Sequence, residues 1–370
     1  MLHFVKLTPV DLGSTIGQSM IPLMQLKQIR QILGCLSLII PLTLIASCTQ
    51  QQTSQSPAPT TETQASPTAD STKPRLAIVL GGPANDDSWN EAADNAAKKL
   101  KAQGYDVAIS ESVADADIAR VLRQYAEKGY NVIIGHSYNH GDAVFQVAKE
   151  FPKTNFAWAG AVGKTSENVA DYDQPFYQGA YMVGLVAGKL SKSGKLGALY
   201  GFDIPACHAM GQAMLAGAKT VRPDATLTAT AVGDWYDIAK AKEAGTAQAE
   251  TGVDYWIGCG QAPTLGTIEA AKAKGGYATG YVGDMTALGQ NVVAANVLWN
   301  MEPIFKQMLN DTTSGQFANK YYRLSVAEDV VQVNTNSTVK DKLGDETLKK
   351  IEETRQEISS GKLKVPFVPK

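Results

Sequence analysis

RLAIVLGGPANDDSWNEAADNAAKKLKAQGYDVAISE, residues 75–111, decides the fold. It opens with an apolar, β-branched run, RLAIVLGG (75–82), which stops at glycines and Pro83. From Ser88 to Gln103, Ala93, Ala96, Ala97 and Leu100 recur at three- and four-residue spacing, the stripe of a helix with one buried face. YDVAISE (105–111) then returns to a strand pattern. A strand, a helix and a second strand in so short a span form a βαβ unit, whose right-handed crossover makes the strands parallel.

The same alternation runs outward along the chain. NVIIGHS (131–137) and NFAWAGA (155–161) are the next strands, with helices over Ala116–Lys128 and Gly141–Phe151. A long helix, Phe176 to Leu190, carries Gly179, Gly184 and Gly188 and predicts close packing. A second array follows: KLGALYG (195–201), TLTATAVG (226–233), DYWIGCG (254–260) and YATGYVG (277–283). Helices over Cys207–Val221, Ile238–Gly252 and Thr264–Lys274 separate them, Pro205 starting the first and Gly275-Gly276 ending the last. Two arrays predict an α/β fold of two doubly wound parallel-sheet lobes with a central ligand cleft. Ligands in such folds sit beyond the carboxyl ends of the strands, so the residues just after each strand matter most.

After the first strand stand Asn85, Asp86, Trp89 and Asn90, at a turn whose helix N-terminus offers N–H groups to a polar ligand. The third strand ends in His136-Ser137-Tyr138-Asn139-His140. Ser137 and Tyr138 are candidate hydrogen-bonding groups, and the two histidines read as turn residues because they straddle a strand-to-helix turn without an H-E-x-x-H pattern. No metal site is expected. Trp235 and Asp237 follow the strand at 226–233, Gln261 follows DYWIGCG, and Asp284 follows YATGYVG. Trp89 is either a staple on its own helix or a flat plate facing the cleft. Aromatic plates from both lobes, with carboxylates and amides around them, suit a flat heteroaromatic ligand. Dinucleotide, phosphate-loop and G-x-S-x-G patterns are missing, so neither a cofactor nor a catalytic set is predicted. Cys207 and Cys259 are either a disulfide or two buried small residues.

The first fifty residues read differently. Lys27 and Arg30 precede ILGCLSLIIPLTLIAS (32–47), whose 16 residues are short for a membrane span and are interrupted by Pro41. Residues 1–47 are therefore expected to be a signal peptide, with Met24 as an alternative start. Cys48 follows Ile45-Ala46-Ser47, a run similar to the lipobox of bacterial lipoproteins, which implies lipidation of that thiol. Residues 48–73, rich in Thr, Ser, Gln and Pro, read as a flexible tether. The expected location is the extracytoplasmic face of the cell membrane, reached through the lipid anchor alone. Taking away the charges of Lys6, Asp11, Lys27 and Arg30 leaves about −4, so no basic membrane-hugging surface is expected.

Composition sets the outer limits. The chain's 370 residues predict about two domains, and 34 Lys plus Arg against 36 Asp plus Glu give no basic field for nucleic acid. Four cysteines are too few for a disulfide-built scaffold.

Four stretches carry a family resemblance: GGPANDDSWNEAA (81–93), FYQGAYMVGLVAGKLSKSGKLGALYGFDIPA (176–206), VGDWYDIAKAKEAG (232–245) and ISSGKLKVPFVP (358–369). In this order they resemble the basic membrane protein (BMP) lipoproteins, substrate-binding components of ABC importers. The resemblance implies a type I periplasmic-binding-protein fold that binds a purine nucleoside or purine base between its lobes. Trp89 and Trp235 stand at the family's two stacking positions, and Asp284 at its ribose-binding aspartate. Trp replaces the commoner Phe at both stacking positions. Val282-Gly283-Asp284-Met285 replaces the usual Val-Asp-Ser-Asp, so a free base stands beside a nucleoside. An N-terminal lobe over 74–175 with a return at about 286–320, and a C-terminal lobe over 176–285 with a return at about 321–370, are expected. The partners implied are a small-molecule ligand and an ABC permease, for a monomer without enzymatic activity. An extracytoplasmic α/β enzyme such as a nucleoside hydrolase, and a ligand-sensing lipoprotein, are the alternatives.

Overall fold

Strand 76–79 is apolar at every position because both faces of its sheet are covered. Leu76 and Ile78 enter one core and Ala77 and Val79 the other, all of them fully buried. The computed structural model describes residues 73–370, which lie in the second of two compact units, Pro67–Lys370. The expected leader, Cys48 and nearly all of the tether lie outside the described residues.

The first lobe runs β1 (Leu76–Val79), α1 (Trp89–Ala102), β2 (Val107–Ser110), α2 (Ile118–Glu127), β3 (Val132–Gly135), α3 (Gly141–Glu150), β4 (Asn155–Trp158) and β5 (Val169–Tyr172). The second runs α4 (Phe176–Leu190), β6 (Lys195–Tyr200), α5 (Pro205–Lys219), β7 (Thr226–Ala231), α6 (Ile238–Glu250), β8 (Tyr255–Cys259), α7 (Gln261–Lys274), β9 (Tyr277–Val282) and β10 (Val293–Trp299). The chain then gives α8 (Glu302–Thr313) and β11 (Tyr321–Tyr322), and finally β12 (Val331–Thr335) and α9 (Lys340–Ser359). One sheet has the order β11-β5-β4-β3-β1-β2 and is parallel throughout. The other has the order β12-β10-β9-β8-β6-β7, with β12 alone antiparallel.

The expected elements up to residue 285 are present, with ends shifted by a few residues. The returns differ from the expected boundaries. Val293–Trp299 does not leave the second lobe at about 286; it pairs with β9 and extends that sheet. Only α8, which packs on α1, and β11, which pairs with β5, go back to the first lobe. The chain therefore passes between lobes after β5, after β10 and between β11 and β12. β5 itself has no plain strand signal because it contains Asp171. That buried carboxylate accepts backbone N–H groups from Gly160, Ala161, Val162, Gly163 and Lys164, winding the loop after β4 around itself.

The small residues of α4 act where expected. A Cβ on Gly217 would clash with the Tyr181 carbonyl oxygen, and one on Gly184 with that of Met214. Backbone-to-backbone contact of this kind lets α4 and α5 lie together beneath the second sheet. Gly217→Ala should therefore cost about 1–3 kcal/mol of stability through overpacking. Lys219→Ala on the exposed side of the same helix should change it by less than about 0.5 kcal/mol. Urea unfolding of both variants is the check, and equal midpoints would contradict the close approach.

Candidate functional site

At the carboxyl ends of the strands, the turn after β1 meets the second lobe. Asp86 (4% exposed) closes the start of α1: its Oδ1 accepts the N–H groups of Ser88 (2.9 Å) and Glu91 (3.0 Å). Its Oδ2 accepts the backbone and side-chain N–H groups of Asn90, at 3.1 and 2.8 Å. Because a carboxylate only accepts, the Asn90 amide must turn its Nδ2 to Asp86, and its Oδ1 is left buried without a partner. Across the gap, Gln261 Nε2 donates to the Asp86 carbonyl (2.9 Å) and Ser88 Oγ to that of Tyr281 (3.1 Å). The lobes are closed on each other.

Between them, at the strand ends, lies a narrow cleft. Asp86, Trp89, Asn90, Ser137, Tyr138, Trp235 and Gln261 line it, drawn from both lobes. Three other residues singled out in the sequence lie off its wall. Asn85 is exposed on the turn. Asp237 caps α6, accepting the Lys240 N–H at 2.9 Å. Asp284 is exposed, and its oxygens accept Asn296 Nδ2, Asn334 Nδ2 and the Thr286 N–H, each at 3.0 Å. That network joins the β9 turn to β10 and β12.

Gln174, Ile204, Tyr236, Gly260, Tyr281 and the Cys207–Cys259 pair also line the cleft, and sequence reasoning did not select them. The cysteines form a disulfide, with Cα atoms 5.5 Å apart, joining the start of α5 to the end of β8. Tyr281 and Gly260 sit at or beside strand ends that the sequence had marked. Gln174 follows β5, a strand that Asp171 disguises in the sequence.

Each tryptophan has a built seat. Trp235 fills space that Gly201 and Gly260 leave: a Cβ on Gly260 would lie 2.8 Å from the indole, and one on Gly201 would clash with it. Gly260 also holds φ +107°, a conformation L residues rarely adopt. Trp235 Nε1 is buried without a partner. Trp89 stacks on His136, with centroids 4.6 Å apart and planes 19° apart. Its Nε1 donates to the His136 carbonyl at 2.8 Å, while His136 Nε2 lies 3.0 Å from the Trp89 carbonyl. Since that carbonyl only accepts, Nε2 carries the proton, and Nδ1 accepts from the Tyr172 hydroxyl at 2.7 Å. Both ring nitrogens are thus engaged, which leaves His136 none for a metal. Phe176, Tyr281 and Trp299 complete the cluster around Trp89. The ring contacts of Trp89 are to residues outside α1, and the indole also lines the cleft.

The family described as ABC transporter substrate-binding protein, PnrA-like (Bmp), matches residues 73–367. The chain belongs to this family. It is 28% identical over 299 residues to a purine-binding protein of Brucella abortus, covering 80% of this chain and 83% of that one. It is 25% identical over 312 residues to the ABC transporter nucleoside-binding protein BmpA of Lactococcus lactis, covering 76% and 86%. A solved solute-binding protein of an ABC transporter system from Conexibacter woesei superposes with a TM-score of 0.64 at 26% identity, over 80% of this chain and all of that one. The family is one of solute-binding proteins and not an enzyme class, and membership implies an extracytoplasmic location. Among the described residues, no helix is long and apolar enough to cross a membrane.

Two buried histidines give the folded chain a pH signature. Burial lowers His136 to about 3, the Trp89 carbonyl opposing it weakly. Burial lowers His140 to about 4, with Asp115 opposing. Both have an ordinary value of 6.5, so between pH 6.5 and 4 the unfolded chain binds protons that the folded chain refuses. Stability should fall with pH through that window, by up to about 1.4 kcal/mol per pH unit for each histidine. His140→Gln should flatten the slope by one histidine's share in denaturant melts at pH 7, 6 and 5. An unchanged slope would show that His140 titrates alike in both states.

Proposed function

We propose that this protein captures a purine-type ligand between Trp89 and Trp235 and hands it to an ABC permease. The observation that carries the reading is the pairing, in one cleft, of two indoles from opposite lobes with two buried, unpartnered polar atoms. A flat ring stacked on the indoles satisfies the apolar surface. Its edge, offering a donor to Asn90 Oδ1, satisfies that buried atom, as an exocyclic amine of a purine does. The names of the Brucella and Lactococcus relatives support the same ligand class. Lipidation at Cys48 would tether a monomeric receptor to the outer face of the membrane, with closure about the three inter-lobe segments as the signal the permease reads.

Trp89→Ala and Trp235→Ala should each weaken adenine binding by about 2–4 kcal/mol, roughly 30- to 1,000-fold. Trp→Phe at either position should cost less than about ten-fold, because a smaller plate remains. Asp284→Asn should leave the ratio of adenosine to adenine affinity unaltered, since that carboxylate is held by Asn296 and Asn334. Calorimetric titration reads all five variants; wild-type affinity in both Trp→Ala proteins would overturn the stacking assignment.

The anchor has its own test. Cys48→Ser should abolish incorporation of labelled fatty acid and move the protein from membranes to the soluble fraction. Labelling that persists in this variant would refute lipidation at Cys48.

A further inference from the structure

Cys207 and Cys259, joined as a disulfide, both line the main cleft, and each is 1% exposed with the lobes closed. Cys259 ends β8 and immediately precedes Gly260, while Cys207 lies in the first turn of α5, just beyond the turn that Gly201 opens. Gly201 and Gly260 are the glycines that make room for the Trp235 indole. Between Gly201 and α5, Phe202 meets the same indole edge-on, with centroids 5.2 Å apart, and Ile204 lines the cleft. Backbone pairing fixes Gly201 itself, whose N–H donates to the Cys259 carbonyl at 3.0 Å. Past Gly201, the disulfide ties residues 202–206 covalently to that strand end. One side of the Trp235 seat therefore hangs on a bond that redox chemistry can open.

The bond also reaches toward the opposite plate. The Tyr281 hydroxyl lies 3.9 Å from Cys259 Sγ, and because a disulfide sulfur carries no hydrogen, the hydroxyl is the donor. The Tyr281 ring in turn lies parallel to Trp89, with planes 7° apart.

The two sulfurs are unequal leaving groups. A thiolate of an incoming dithiol that attacks Cys259 Sγ breaks the S–S bond and expels Cys207 as a thiolate. That charge arises in the first turn of a 15-residue helix, where free N–H groups and the helix dipole favour it. The second thiol of the reductant then attacks the mixed disulfide and expels Cys259, which takes up a proton. The balance is protein disulfide plus dithiol to two protein thiols plus the reductant's own disulfide. Because the cysteines line an inter-lobe cleft, parted lobes admit the dithiol and closed lobes bury its target.

We propose that the Cys207–Cys259 disulfide is a redox switch on ligand capture: oxidised, it holds the turn that seats Trp235; reduced, it frees that turn and weakens binding. It rests on the purine reading above only through the ligand used to probe it. By linkage, the factor that reduction removes from ligand affinity is the factor by which the ligand favours the disulfide.

The test compares oxidised protein with protein reduced by dithiothreitol, both labelled with 5-fluorotryptophan. Calorimetric titration should show adenine binding weakened by about 5- to 150-fold on reduction, the usual span for coupled sites. A Cys207→Ala/Cys259→Ala variant should show the same loss without a reductant. In the oxidised protein, adenine at about 100 times its dissociation constant should slow reduction at least about ten-fold, read by alkylation and mass spectrometry of the Cys207 and Cys259 peptides. The fluorine resonance of Trp235, assigned through Trp235→Phe, should move on reduction, and that of Trp158 in the first sheet should not. Equal adenine affinity in the oxidised protein and the alanine variant overturns the switch. Failure of adenine to bind the oxidised protein overturns the purine reading instead, and an unmoved Trp235 resonance then overturns the switch as well.

Discussion

The Trp89–His136 pair is the contact on which the rest of the site depends. Each residue donates to the other's backbone carbonyl, and their rings stack. The imidazole can do this only as a neutral ring with its proton on Nε2, and the Tyr172 hydroxyl on Nδ1 holds that tautomer in place. Charging the ring would strand a cation among Trp89, Tyr172 and Trp299 with no carboxylate beside it, which is why burial lowers its pKa so far. A polar residue at the end of β3 thus fixes the angle at which a cleft-lining indole is presented.

The same cluster explains how two separate sheets become one receptor. His136 and Tyr172 come from the first sheet and its strand ends, Tyr281 and Trp299 from the second, and Phe176 from the crossing between them. Rings with edge-to-face and tilted contacts can slide a little without opening voids, so the floor of the cleft can stay packed while its walls move. Among the described residues, Gln261 on the Asp86 carbonyl, Ser88 on the Tyr281 carbonyl and Tyr236 beside the Asn90 amide join the walls. Local bonds of this kind suit a closure that ligand binding must make and release.

Much of this was legible in the sequence, for physical reasons that also mark where legibility ended. Fully buried parallel strands such as Leu76–Val79 are apolar at every position, and helix stripes such as Ala93, Ala97 and Leu100 face one core, so the two arrays stood out. β5 did not, because Asp171 makes a buried strand look like a loop. The inter-lobe boundaries were harder still. A strand such as Val293–Trp299 is apolar in whichever sheet it joins, and only the pairing partner assigns it. At the site, proximity to strand ends brought out Trp89, Asn90, Trp235 and Gln261. It also brought out Asp237 and Asp284, whose carboxylates serve a helix start and a turn. Spacing shows that a carboxylate is near a cleft, but not which N–H groups have already claimed it. The Cys207–Cys259 pairing was likewise open until the start of α5 and the end of β8 were seen together.

A crystal structure of the protein with adenine bound tests the central claim most directly. The ring should lie against the Trp89 indole on one side and the Trp235 indole on the other, within stacking distance of both. Asn90 Oδ1 should have gained a hydrogen bond, and the Trp89–His136 pair should be undisturbed. A ring bound outside this cleft, or one in contact with neither indole, would contradict it.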